Sequence, residues 1–306
     1  MNKYIITILA ILLLGNVNDG KSQDLSSLKG PYLGQKRPGK TPEIFAPGIV
    51  QSNATEFGIT ISVDGNEIYF TRRLSREVGN KIYSYKNING KWTLLSPPLF
   101  GWGDGKEMEP NLSPDENRLY FVSRRPLPEG TTGKTWVKTW YVEKSGHNWS
   151  EPKFVGSPVM ESGAMYTTQS NSGNIFFTGP IPGQTGGQGI HMSKIIGDKF
   201  DEPKYLPDEI NGLNNAGHPY IAPDESYILY DYNNMDQNNN KNLVINLKEG
   251  NSWGDPINLS EYIGNSDAYA AFVSFDGKYL FFSSGGNIYW VDAGIIEEIK
   301  NKIGEH

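Results

Sequence analysis

The chain has no cysteine among its 306 residues. Disulfides are therefore excluded, and so is a lipid-modified cysteine at a processed N-terminus. Histidine occurs four times, at His147, His191, His218 and His306, too scattered for a multi-histidine metal centre. No tract of Lys and Arg is present, and the net charge is −6, which argues against nucleic acid and anionic membrane as partners. No apolar run reaches the ~20 residues needed to cross a bilayer. The longest, Ile5–Leu14, follows Lys3 and precedes the small residues Gly20 and Ser22. This pattern predicts a secretory signal peptide over residues 1–22, cut between Ser22 and Gln23, with no membrane span after cleavage. His-Glu-x-x-His, a nucleophile elbow and a phosphate loop are all missing. The glycine-rich stretch Gly183–Gly189 joins no strand to a helix and reads as a loop.

What is present is a repeat. Ile61-Ser62-Val63-Asp64-Gly65 precedes Ile68-Tyr69-Phe70, and Leu112-Ser113-Pro114-Asp115-Glu116 precedes Leu119-Tyr120-Phe121. Three further copies are anchored at Ser172, Asp224 and Asp276, so the steps between anchors are 51, 57, 52 and 52 residues. A period of about 50 residues means one supersecondary unit copied, as in a solenoid or a propeller. Trp92, Trp149, Phe200 and Trp253 follow in phase, and the distance from each to the next anchor is 23 or 24 residues. The constant part is framework, and the variable part between anchor and aromatic is loop. These tryptophans are expected to pack between units, not to form a sugar-binding platform.

Each unit reads as four antiparallel strands. A short apolar strand leads into the anchor, where Asp and Gly supply turn chemistry. A β-rich run such as Arg118–Ser123 follows, then a third strand, then the Trp-x-x-Pro segment as an outer edge, where proline is tolerated. The last unit ends without that segment, but Thr41-Pro42-Glu43-Ile44-Phe45 stands 22 residues before the first anchor. The N-terminus thus carries the strand that the last unit lacks. The expectation is a single all-β five-bladed propeller over residues 41–292, closed by this N-terminal strand. Residues 23–40 are expected to be a flexible lead-in. Residues 293–306 are expected to form a short C-terminal helix, with Ile295, Ile296, Ile299 and Ile303 on one face and Asp292 as cap.

The Ser-Pro-Asp-x-x-x-Leu-Tyr-Phe phrase resembles the WD40-like propeller repeat of the TolB type, carried best by Pro114-Asp115 and Pro223-Asp224. The resemblance covers roughly residues 40–292. It implies a propeller of the bacterial envelope, in the periplasm or secreted. Ser172 departs from the aspartate of the pattern, and the sixth blade and extra N-terminal domain of TolB are not visible here.

One set of residues admits a functional reading beside that of a solvated acidic rim. Those just before the innermost strand of a propeller blade cluster at the channel mouth. Counting back six to nine from each anchor gives Glu56, Glu107, Glu109, Tyr166, His218, Asp267 and Tyr269. Arg72, Arg73, Arg124 and Arg125 follow the second strands of the first two blades, either to pair with those carboxylates or to stand as outer-loop charges. The expected function is a non-catalytic binding module for an envelope protein or a cell-wall or glycan ligand, acting as a monomer. The alternative is a secreted carbohydrate-active enzyme using these carboxylates. No cofactor is expected. Asp231–Asn238 has the oxygen donors of a calcium loop but lacks its glycine and closing glutamate, and reads as a strand-to-strand loop.

Overall fold

A computed structural model describes residues 25–95, 106–130, 138–146, 148–197, 199–213, 215–234 and 240–304. Five antiparallel sheets form a ring. The innermost strands are Thr55–Ile61, Glu107–Leu112, Met165–Gln169, Gly217–Ile221 and Tyr269–Val273. Each contacts the next, and the last contacts the first. In every blade the second and third strands follow as successive antiparallel neighbours. The ring is a five-bladed propeller.

Closure occurs in blade five. Glu43–Ile44 pairs with the third strand Asn287–Asp292, through Glu43 opposite Trp290 and Ile44 opposite Tyr289. The next residue, Phe45, is fully buried and lies edge-on against Phe281 and Trp290, with ring centroids 5.2 Å apart in both cases. Without this strand the third strand of blade five would carry an unpaired edge.

The Trp-x-x-Pro segments are more divided than the sequence suggests. In blade two, Asn148–Trp149 makes a two-residue pairing with the third strand, and the outer strand proper is Lys153–Phe154, beyond the proline. Blade four repeats this with Ser252–Trp253 and Ile257–Asn258. Blade one has Leu95 where the others have proline, and its fourth strand Lys91–Leu95 runs unbroken. Proline has no N–H for the ladder, so the edge is interrupted where it occurs. Trp149 donates its indole N–H to the Tyr69 hydroxyl of blade one at 3.0 Å. Trp253 packs with Phe176 and Ile190 of blade three. Trp92 turns instead to the N-terminal lead-in, donating to the Gly30 carbonyl at 3.0 Å.

The anchor turns share one circuit. In blades one, two and five a serine hydroxyl donates to the anchor aspartate, at 2.7, 2.5 and 2.7 Å. The same serine oxygen accepts the N–H five residues on, from Glu67, Arg118 and Tyr279. Blade three lacks the aspartate, and the next blade replaces it. Glu225 Oε1 accepts from Ser170, Ser172 and Asn174 at 2.6–2.8 Å. Glu116 of blade two likewise reaches back to the Val63 N–H of blade one at 2.6 Å.

The lead-in is not a free tether. Tyr32 donates its N–H to the Gly65 carbonyl at 2.8 Å and packs on Tyr279 and Trp290, while Leu33 is buried. Gly65 has a φ of +71°, and a Cβ there would meet Pro31 and Tyr32 at 2.8 Å. Only glycine permits both the turn and this close approach. A polar composition suggested flexibility, but Leu25, Leu28, Tyr32 and Leu33 pack the segment on the apolar core. The C-terminal helix Gly294–Gly304 buries Ile296 and Ile299, and Asp292 caps it by accepting the Gly294 N–H at 2.8 Å. Tyr32 of the lead-in meets the anchor turn of blade one, and the helix lies beside the anchor turns of blades four and five. The opposite side, where the innermost strands begin, holds the candidate site.

Candidate functional site

The site is built from a bulge repeated five times. Gly58, Glu109, Tyr166, His218 and Ala270 each stand six residues before their anchor, and all have positive φ, between 46° and 59°. Each coincides with a register shift between the first and second strands. A left-handed backbone is unfavourable for side chains larger than glycine's. Hydrogen bonds from the preceding blade help hold it. The N–H of Gly58 donates to Ser283, that of Glu109 to Thr71, that of His218 to Thr178 and that of Ala270 to Asp231, at 2.8–3.1 Å.

Tyr166 fills the axis. It is 1% exposed, lies edge-on to the His218 ring at 5.0 Å, and points its hydroxyl at the Ala271 carbonyl of blade five, 3.4 Å away. The channel therefore has a tyrosine floor. Burial, with the charges of Glu109 and Asp231, raises the pKa of this phenol well above its ordinary value.

Above the floor lies a charge cluster. His218 Nδ1 is 2.8 Å from Asp231 Oδ1, and Lys241 Nζ is 2.8 Å from Asp231 Oδ2. Asp231 is fully buried. Burial alone would raise its pKa, but the charges of His218 and Lys241 and their hydrogen bonds outweigh that and hold it at about 2. The Lys241 ammonium lies 5.1 Å from the centre of the Tyr269 ring, a cation–π contact. Tyr269 is pushed up to about 12 by burial and by Asp231 and Asp267. Glu109 faces the other edge of the histidine, with Oε1 3.9 Å from Nε2. It is only 6% exposed, and its Oε2 has no hydrogen-bond partner. Burial raises its pKa against the opposing pull of His218 and Lys241.

The seven residues anticipated at the mouth divide into two groups. Glu109, Tyr166, His218 and Tyr269 come together, and Asp267 stands at their edge, its carboxylate 3.5 Å from the Lys241 N–H. Glu56 and Glu107 do not join them. Glu56 is fully buried and held by Arg72 Nε at 2.8 Å and Ser52 Oγ at 2.5 Å. The Arg72 guanidinium continues to the Ile49 and Val50 carbonyls, tying down the loop after the closing strand. Glu107 pairs with Arg125, whose guanidinium lies over Phe121 and Trp140. Both glutamates are structural pairs inside their blades.

Sequence reasoning missed Asp231 and Lys241. The signal was available: Asp231 follows its anchor by seven residues, as Thr71 and Ser283 follow theirs. All three accept a bulge N–H of the next blade. Asp231 opens the stretch that reads as a strand-to-strand loop, and the structure commits it to His218 and Lys241; Met235–Asn239 of that loop lie outside the described residues. No group of three or more His, Asp or Glu side chains arranged to hold a metal occurs among the described residues.

No family model matches the chain, and no curated protein sequence matches it. Solved structures do resemble it. A glycoside hydrolase is 13% identical, with 86% of this chain and 91% of that one covered and a TM-score of 0.51. A protein assigned as TolB from Agrobacterium tumefaciens is 13% identical, with 78% and 73% covered and a TM-score of 0.48. An alpha-L-arabinofuranosidase from Podospora anserina is 12% identical, with 83% and 93% covered and a TM-score of 0.49. At these identities the likeness concerns the fold alone. No helix among the described residues is long and apolar enough to cross a membrane.

Proposed function

We propose that the chain is an exported, non-catalytic propeller that binds an envelope protein through the channel-mouth face. The observation that carries this reading is the fate of the carboxylates. Glu56, Glu107 and Asp231 are each buried and paired with a cation. Glycoside hydrolysis needs two carboxyl groups flanking the scissile bond, one to protonate the leaving oxygen and one to attack or to activate water. Here Glu109 is almost wholly enclosed, and Asp267 stands apart at the edge. What the mouth offers a ligand is the half-buried His218 ring, the Lys241 ammonium and the Tyr269 ring. Aromatic and cationic groups of this kind suit a protein hot spot. Among the described residues, the helix occupies the opposite side of the ring, beside the anchor turns.

The test uses the mature protein as bait in an envelope extract, alongside a His218→Ala/Lys241→Ala double variant. Specific partners should be captured by the first and lost by the second, with no turnover of a panel of plant and cell-wall glycans by either. Glycan hydrolysis by the wild type would replace this reading with the enzymatic one.

A further inference from the structure

A second feature of the same face lies at the junction of blades one and two. The hairpin formed by Glu67–Ser75 and Gly79–Ile88 leans against blade two, where Asn80 bridges Lys106 in parallel. Between them is a cavity of about 280 Å³. Among the described residues its wall carries Arg73, Arg76, Lys106, Arg124 and the carboxylate Glu77. Arg73 and Arg76 flank the end of the strand Glu67–Ser75 at the hairpin turn, in a chain whose net charge is −6. Local structure orients the donors. Asn80 Oδ1 accepts from Arg73 Nε at 2.9 Å, which turns the far edge of that guanidinium outward, and the guanidinium rests over Phe57. Ser75 Oγ accepts the Val78 N–H at 3.1 Å, leaving its own proton to donate. Guanidinium forks match oxyanions in bidentate geometry, and carboxylates are one such group. Beside the cations, Leu74 and Val78 stand 44% and 43% exposed. An acidic polysaccharide would leave these two side chains uncovered, whereas a peptide can supply apolar neighbours to its carboxylates.

We propose that this junction docks an acidic segment of a protein partner, with carboxylates entering the cavity and apolar side chains resting on Leu74 and Val78. The proposal gives the partner of the binding reading its chemistry; the junction neighbours the mouth, where Arg73 acts on Tyr269, but its variants leave His218 and Lys241 intact and fail separately.

The probe is a fluorescein-labelled hexaglutamate peptide, with hexaglutamine as the uncharged control, followed by fluorescence anisotropy. The acidic peptide should bind the wild type, weaken as salt rises past about 0.15 M, where the Debye length is about 8 Å, and be displaced by inorganic phosphate. Arg73→Gln/Arg124→Gln should weaken it at least about tenfold, the effect of losing some 1.4 kcal/mol of binding. Lys199→Gln/Lys204→Gln, which removes the same charge from blade three, should not. In the unmodified protein, the Met108 methyl resonance should move when phosphate is added, because Met108 lines the cavity. Equal loss in both double variants, equal binding of hexaglutamine, no binding, or a still Met108 methyl would each overturn the proposal. Tighter binding of polygalacturonate than of the peptide would overturn the choice of a protein ligand. The His218→Ala/Lys241→Ala variant should keep peptide binding, so failure at the channel mouth is read independently.

Discussion

Replacing Glu109 with glutamine should stabilise this protein at neutral pH. The side chain is buried, its Oε2 has no partner, and its pKa is raised by burial. A raised carboxyl pKa means that the folded state holds the proton more tightly than the unfolded one. The associated stability is fully present below the unfolded pKa of about 4.3 and is lost as pH rises through the folded value. At neutral pH the ionised carboxylate is therefore a liability. Leaving a buried polar group unsatisfied costs about 1–3 kcal/mol. Glutamine removes the charge but leaves an amide with imperfect partners and gives up the attraction to His218 and Lys241. A net gain of about 1 kcal/mol is expected, a rise in Tm of about 2–4 °C for a domain of this size class. Thermal unfolding followed by circular dichroism from pH 3.5 to 8 reads the difference directly, with ~0.5 pH steps across the raised titration. The advantage of Glu109→Gln should vanish at the acid end and grow as pH rises. A variant less stable at neutral pH, or a gap that ignores pH, would refute the reasoning. It would mean that the charge of Glu109 is satisfied in the fold.

Three further substitutions test the frame around the site. Phe45→Ala, which empties the aromatic pocket behind the closing strand, should cost about 3–5 kcal/mol in urea unfolding. Arg72→Ala strands the Glu56 carboxylate in the core and should cost a similar ~3–5 kcal/mol, part of it recovered by adding Glu56→Gln. Glu225 has a lowered pKa, because hydrogen bonds from Ser172, Ser170 and Asn174 outweigh the effect of burial. Its contribution is present above about pH 4.3 and lost as pH falls through the lowered folded value. Glu225→Gln should therefore lower Tm at neutral pH and narrow its gap to the wild type in acid.

The ring was legible in the sequence because its turns repeat. Ser62-x-Asp64, Ser113-x-Asp115 and Ser274-x-Asp276 form the same hydrogen-bonded circuit, and the 22-residue lead of Pro42 over the first anchor foretold closure. The site was legible only in part, and the reason is geometric. Residues two apart in a regular strand share a face, so Glu107 and Glu109 read as neighbours. The bulge at Glu109 breaks that alternation. Glu109 turns to the axis, while Glu107 stays inside the blade with Arg125. Asp231 escaped notice because its role depends on the next blade, whose Ala270 N–H it accepts at 3.1 Å. Contacts between repeats leave no local trace in composition. The lead-in misled for the opposite reason: its serines, glycines and lysines dominate its composition, yet Leu25, Leu28, Tyr32 and Leu33 pack it on the core.

Under the proposed function the channel mouth binds and does not hydrolyse. The most direct measurement sets envelope-protein capture beside glycan turnover for the wild type, His218→Ala/Lys241→Ala and Glu109→Gln, with folding of each confirmed by circular dichroism. The account predicts capture by the wild type, its loss in the double variant, and no turnover by any of the three. Turnover by the wild type that disappears in a folded Glu109→Gln protein would contradict it.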